Sequence, residues 1–246
     1  MAEAAPSKWP KALPRLTSEQ LRIRDEFMAL WHEELPQRYR IIERFNHGYP
    51  VSRSRSLKGD IRTLEIGAGL GGHLEFEDLE VQEYYALELR PEMAGRLRKR
   101  YPQCRVMVGD CQRPLPFPDA FFDRVLAIHV LEHLPNLPAA LREIHRVIRP
   151  AGQLCIVIPC EGGIAYSLSR NISARRLFER RFKQSYDWLI RSEHINLPVE
   201  ILQELSVLFE VCHRRFFPLL VPIVTLNLCI GLTLWPRHAA SSPTFP

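Results

Sequence analysis

LEIGAGLGG, residues 64–72, is the stretch on which the fold turns. A short apolar run ends abruptly in glycines. Glycine at such a junction lets backbone approach a ligand closely and leaves free amides facing it at the start of a following helix. Gly67, Gly69 and Gly72 satisfy G-x-G-x-x-G, a pattern of dinucleotide sites. Glu88 closes the next apolar run, EYYALEL, about twenty residues on, where a carboxylate can accept both hydroxyls of a ribose. A nicotinamide dehydrogenase would show the same loop, and so would a helix packed tightly on a sheet with no ligand.

Outward from this loop the chain repeats a rhythm of strand, turn and helix. IRTLEIGAG, EYYALEL, CRVMVGD, FFDRVLAIHV and QLCIVIP read as five strands. PEMAGRLRKRY opens with proline at a helix start, and a helix around LPAALREIHRVI is closed by Pro150 and Gly152. Alternation of this kind argues for a parallel sheet covered on both faces. A helix over 199–208 and two strands, FEVCHRRFF and TLNLCIGLTL, follow; their short connection makes them antiparallel.

The region after the third strand makes the reading specific. Gly109-Asp110 precedes CQRPLPFPDAFFDRVLAIHVLEHLPN, and ALREIHRVIRPAGQLCIVIP comes next. Together with LEIGAG, these blocks resemble class I S-adenosylmethionine-dependent methyltransferases of the small-molecule, methyltransferase-11-like type. The likeness covers residues 61–160; Ala151 replaces a common glycine. The family implies a Rossmann-like fold: a doubly wound, mostly parallel seven-stranded sheet with an antiparallel last strand. It implies S-adenosylmethionine as cofactor. It implies that Glu65, Gly67 and Gly69 border the methionine part, Glu88 holds the ribose, Leu89 lines the adenine, Asp110 bonds the adenine amino group and Cys111 lies beside the ring. Ile128 and His129 would face the methyl group and the acceptor. No Asn-Pro-Pro-aromatic tetrapeptide follows the fourth strand, which argues against amino-methylation of nucleic acid. The alternatives to methyl transfer are a nicotinamide-dependent oxidoreductase and a catalytically silent relative that binds a partner.

HVLEH, residues 129–133, also matches H-x-x-E-H, a zinc-peptidase spelling. A peptidase needs that motif inside a long helix, whereas here the strand DRVLAI runs straight into His129. No metal is expected. A hydroxyl acceptor would need a base near neutral pKa, and His129 is the first candidate, with His194 in SEHINLP second. His133 reads as an anchor for the turn. A branched side chain at Gly67 is expected to block the ligand's path.

Five segments are expected: a helical N-terminal extension at 1–60, the cofactor-binding core at 61–160, a basic helical insertion at 161–198, a C-terminal helix with two antiparallel strands at 199–236, and a tail at 237–246. The extension opens on a capping box, Thr17 to Gln20, with Leu21, Phe27, Met28, Trp31 and Leu35 near one stripe, and Pro36 ending that helix or starting the next. FNHGYPVSRSRSLKGD reads as a polar, basic loop. Arg175, Arg176, Arg180, Arg181 and Lys183 crowd the insertion, as a solvated face or a lid that pairs with an anionic substrate.

With 246 residues and 46% hydrophobic composition the chain can bury a large core. Its formal charge of +5 is too modest to demand nucleic acid. None of the six cysteines forms a C-x-x-C pair, so reduced, mostly core thiols in a cytoplasmic protein are expected. MAEAAPSKWP has no positive-then-apolar leader pattern. Residues 216–236 are apolar and uncharged over about the length of a membrane span. Pro218 and Pro222 interrupt any helix there, so two strands joined at these prolines are expected, and peripheral membrane contact stays open. The expected partner is a small molecule, lipid-linked or anionic.

Overall fold

The computed structural model describes residues 8–38, 40–54 and 60–237, with side chains described except at 31–38 and 54. The expected tail, apart from Arg237, lies outside the described residues, as do Trp31 and Leu35 for their side chains. The centre is a seven-stranded sheet: β1 (Ile61–Ile66), β2 (Gln82–Glu88), β3 (Arg105–Val108), β4 (Phe122–Ile128), β5 (Ile148–Pro159), β6 (Phe209–Phe217) and β7 (Cys229–Pro236). The order is β3-β2-β1-β4-β5-β7-β6, and β7 runs antiparallel between β5 and β6. The doubly wound, mostly parallel sheet with a reversed last strand is thus present. β5 starts directly at Ile148, so Pro150 and Gly152 lie in the strand. β7 starts at Cys229 rather than 225, since Val224–Leu226 forms a 3-10 turn.

Alternating side chains divide the core between two faces. On one, Leu64, Ile66, Leu87, Val125 and Ile156 meet α4 (Leu137–Val147) and α8 (Pro198–Leu208). α4 begins where the Asn136 side chain accepts from the Ala139 amide at 3.3 Å, with Pro138 in its first turn. Leu137, Leu141 and Ile144 then recur at helical spacing on its buried side. On the other face, Tyr84, Ala86, Leu126 and Cys155 are covered by α3 (Pro91–Arg100) through Leu97.

That second face departs from expectation. No α-helix follows the glycine loop; the connection to β2 carries only a four-residue 3-10 turn, His73–Phe76. The space over β4, β5 and β7 is filled instead by α2 (Arg40–Ser54), which occupies most of the stretch expected as a polar loop. The cause is tertiary. Phe45 and Tyr49, one helical turn apart, pack on Val157 and Cys229, and burying two aromatics at roughly 1.5–3 kcal/mol each offsets Gly48 and Pro50 within the helix. Gly231 makes the fit possible, because an added Cβ would lie 2.6 Å from the Tyr49 ring. The Tyr49 hydroxyl meets Thr233 Oγ1 at 3.0 Å, so its polar end is satisfied.

α1 (Ser18–Arg38) runs through Pro36 rather than ending there. Its capping box is present: the Gln20 amide donates to Thr17 Oγ1 at 3.2 Å and the Thr17 amide to Gln20 Oε1 at 2.9 Å. The buried stripe is Ile23 and Phe27, with Leu21 exposed. The insertion comprises α5 (Ile164–Arg170), a π-turn at 171–175, α6 (Arg176–Phe182) and α7 (Asp187–Glu193). Among the described residues no helix is long and apolar enough to cross a membrane.

Candidate active site

A cavity of about 1240 Å³ opens at the carboxy ends of β1 and β4. Its floor is Glu65, Gly67, Ala68 and Gly69 after β1, and Ile128, His129, Glu132 and His133 after β4. Asn46 and His47 of α2 close one side, and Tyr166, Arg170, Glu193 and His194 of the insertion another. Phe27 and Met28 of α1 complete the roof. Phe27 meets Phe178 edge-on, 5.1 Å between ring centres, and Tyr186 at 6.0 Å, so extension and insertion share one aromatic core.

The glycine loop is held from below. The Gly67 amide donates to the Leu87 carbonyl at 2.8 Å, and the Gly69 amide to Glu88 Oε2 at 2.9 Å. Gly67 has φ +70°, and an added Cβ there would lie 2.5 Å from Val130 Cγ2. Any side chain at Gly67 therefore collides first with Val130 in the loop after β4. Glu88 is buried, and its Oε1 accepts from the amide and Nε of Arg90 at 3.0 and 3.1 Å. Oε1 thus accepts two bonds, while Oε2 keeps a lone pair beyond its bond to Gly69.

Of the residues expected at the site, Glu65, Gly67, Gly69, Ile128, His129 and His194 line the cavity together. Glu88, Leu89, Asp110 and Cys111 do not line it. They follow β2 and β3 farther along the same carboxy edge: Glu88 pairs in register with Val108, two residues before Asp110. Leu89 is exposed, Cys111 is buried, and Asp110 Oδ1 accepts from the Gln112 amide at 2.9 Å.

Glu65 marks the chemistry of the floor. It is 4% exposed, its Oε2 accepts from the Tyr84 hydroxyl at 3.0 Å, and no ion pair reaches it among the described residues. Burial raises its pKa to about 8, outweighing the Tyr84 bond. Such a carboxyl suits a ligand that brings its own positive charge. That is a property of S-adenosylmethionine, which carries an ammonium and a sulfonium, so the residues present fit this cofactor.

The histidines differ in state. His129 stands at φ +53°, a left-handed conformation that costs energy for a side chain-bearing residue. Its Nδ1 lies 3.2 Å from Glu132 Oε1. Burial disfavours its charge, yet hydrogen bonds to Cys229 and Glu132 prevail and hold its pKa well above the ordinary range. Glu132 is correspondingly held down at about 2, because the His129 bond and neighbouring imidazoles outweigh its burial. His133 goes the other way: burial lowers its pKa, and the Glu132 carboxylate does not fully offset this. Its Nδ1 lies 2.6 Å from the Glu193 carbonyl. A carbonyl only accepts, so Nδ1 carries the proton and Nε2 keeps its lone pair, 3.9 Å from Glu132 and beyond hydrogen-bond reach. His194 Nδ1 contacts Glu161 Oε2 at 2.9 Å, and its ring stands edge-on to His133 at 5.0 Å.

Glu43 and Asn46 are additions to the site, on the cavity wall beside His47. Their signal was present: Glu43 and His47 are four apart, helical spacing, and bond at 3.0 Å. Three arginines of the insertion are paired, while Arg176 and Arg180 stay exposed. Arg170 pairs with Glu161, Arg175 with Asp187 and Glu179, and Arg181 with Glu26 of α1.

Comparison with known proteins agrees with this geometry. Residues 64–156 match the family described as "Methyltransferase domain". The chain carries a class I S-adenosylmethionine-dependent methyltransferase domain. Its cofactor, by family and fold, is S-adenosylmethionine. A sterol 4-C-methyltransferase of Caenorhabditis elegans is 28% identical over 116 residues, 43% of this chain and 33% of that protein. A malonyl-[acyl-carrier protein] O-methyltransferase of Halorhodospira halophila is 36% identical over 95 residues, 37% of this chain and 32% of that protein. The chain thus spans about a third of the length of these curated relatives. A TehB-like SAM-dependent methyltransferase from Corynebacterium glutamicum shares the fold at TM-score 0.58 and 17% identity, covering 83% of this chain and 97% of that one. With the methyltransferase domain identified and β7 inserted antiparallel, the glycine loop no longer speaks for a nicotinamide enzyme.

Proposed function

We propose that the protein transfers a methyl group from S-adenosylmethionine to the oxygen or nitrogen of a small-molecule acceptor held beneath the α1–insertion roof. One observation carries this reading: the glycine loop with Glu65 and the His129–Glu132–His133–His194 group wall a single cavity. The bound cofactor supplies a methyl group already activated on a sulfonium. The chain's task is to hold an acceptor in line, exclude water and receive a proton. His133, neutral and with Nε2 free, takes that proton. His129 is held charged between Glu132 and Cys229 and orients the acceptor, and His194 with Glu161 fixes the roof side. Glu88, Leu89, Asp110 and Cys111 continue the cofactor's berth along the sheet edge. Phe27, Met28, Ile42, Ile128 and Leu189 make much of the wall apolar, which favours a lipid-like or lipid-linked acceptor; two relatives are named for a sterol and for a malonyl-[acyl-carrier protein]. The protein works in the cytoplasm or at its membrane surface.

The test is transfer of labelled methyl to fractionated lipids and metabolites, with thermal stabilisation measured in parallel. A labelled small molecule and stabilisation by S-adenosylhomocysteine are expected. Stabilisation by a nicotinamide cofactor alone, or label only on protein or nucleic acid, would sink the proposal.

Glu65 adds a second measurement. Its pKa of about 8 keeps it protonated at pH 7, and a cation bound beside it drives the proton off. Calorimetry in buffers of differing ionisation enthalpy should show up to about one proton released per cofactor bound. Glu65→Gln should remove that release and weaken binding roughly 10- to 100-fold, as expected from a lost hydrogen bond to a charged group. Unchanged proton release would remove Glu65 from the site. In the free protein the folded state holds this proton more tightly than the unfolded chain. Its contribution to stability is therefore full below pH 4.5 and declines as pH rises towards about 8.

A further inference from the structure

Residues 218–226, PLLVPIVTL, join β6 to β7 and carry no charge. Leu220 is 74% exposed, and Leu219, Val221, Ile223 and Leu226 are exposed too. The loop is shaped by Asn227, which is fully buried. Its Oδ1 accepts from the Leu219 amide at 2.8 Å, and its Nδ2 donates to the Val221 and Ile223 carbonyls at 3.0 and 2.9 Å. The polar backbone is thus tied inward while the apolar side chains point out, the reverse of what water selects in a surface loop.

A second apolar element adjoins it. Ile164, Leu168 and Ile172, four residues apart along α5 and the π-turn, are 70%, 58% and 53% exposed. Gly163, just before α5, lies so close to the loop that an added Cβ would meet the Val224 carbonyl oxygen at 2.9 Å. The same four-residue spacing continues to Arg176 and Arg180, both exposed and without an ion pair among the described residues. Arg214 and Arg215, exposed on β6, lead into the loop. Neither 162–178 nor 211–237 contains an acidic residue.

We propose that this face docks the protein on an anionic lipid bilayer, with loop 218–226 and the α5 stripe in the headgroup–acyl boundary and the arginines against lipid phosphates. The charge pattern selects this occupant. Apolar residues flanked by exposed arginines complement an anionic interface, whereas a second copy of the chain would set arginines against arginines. The position has a consequence: Tyr166, Ser169, Arg170 and Ser173, on the other side of the same helix, line the cavity. Docking places a single helix between the bilayer and the cavity. The inference stands without the methyl-transfer reading, since it concerns only binding.

The experiment is flotation of the full chain with vesicles of phosphatidylcholine, alone or with phosphatidylglycerol added. The protein is expected to float with the anionic vesicles and to be released by salt. The pair Leu220→Ser and Ile223→Ser should lower the bound fraction at least about tenfold with unchanged thermal unfolding, because these side chains are exposed. Arg176→Glu with Arg180→Glu should weaken binding to the anionic vesicles alone. No flotation of the unmodified chain, or equal flotation of the serine variant, overturns the proposal. So does self-association without vesicles that the serine variant abolishes, which would assign the face to a second copy.

Discussion

Replacing His133 with glutamine is expected to lower kcat about 100-fold or more while leaving affinity for S-adenosylhomocysteine nearly unchanged. Glutamine can still donate to the Glu193 carbonyl that holds the imidazole at 2.6 Å, but it cannot take a proton. The pH profile separates the two histidines of HVLEH. A base must be neutral to act, and the His133 pKa lies below the ordinary 6.5. The rate should therefore rise with pH on the acid side of 6.5 and be level above it, and the limb should vanish in His133→Gln. Were His129 the base, its pKa well above 6.5 would make the rate climb on the alkaline side instead. A normal rate in His133→Gln would point to an acceptor that needs no base, such as a neutral amine, and remove His133 from the chemistry. His129→Ala is the companion variant: it should lower kcat and weaken acceptor binding, yet leave the limb below 6.5 in place.

Arg124→Met is expected to destabilise the protein by roughly 3–5 kcal/mol. Arg124 is fully buried in β4, with Nη2 donating to Glu77 Oε2 at 2.7 Å and to Gln82 Oε1 at 3.1 Å, and Nε to Thr63 Oγ1 at 3.2 Å. Glu77 also contacts His73 at 2.8 Å, and these partners hold its pKa at about 2 against the effect of burial. Without the guanidinium the carboxylate is left charged in the core. Its cost should shrink as pH falls, because protonation of Glu77 removes the stranded charge. The double variant Arg124→Met, Glu77→Gln should recover part of the loss. Thermal unfolding across pH measures this, with a shift of about 10 °C expected near neutrality. A loss under about 1 kcal/mol, or no recovery in the double variant, would contradict the role given to this pair.

The parts of this protein that were legible beforehand are those encoded locally. LEIGAG, EYYALEL and DRVLAI are each contiguous runs whose burial on both faces shows as continuous hydrophobicity. FEVCHRRFF and the run after the prolines were readable as an antiparallel pair because a short connection leaves little choice. The helix expected after the glycines was not there, and α2 was hidden behind Gly48 and Pro50. Local propensity pointed to a loop in FNHGYPVSRS, and only the surface assembled from β4, β5 and β7, far along the chain, could overrule it.

For the site, the sequence by itself located the glycine loop and placed HVLEH at the mouth of β4, since motif and strand end are neighbours in the chain; the burial of Glu65 came with the fold. Tertiary structure alone decided which way each histidine shifts: His133 is oriented by Glu193 of α7, and hydrogen bonds to Cys229 of β7 and to Glu132 favour the charged form of His129. Protonation state is set by burial and by charges within a few ångströms, and those neighbours come from elements as much as a hundred residues away along the chain.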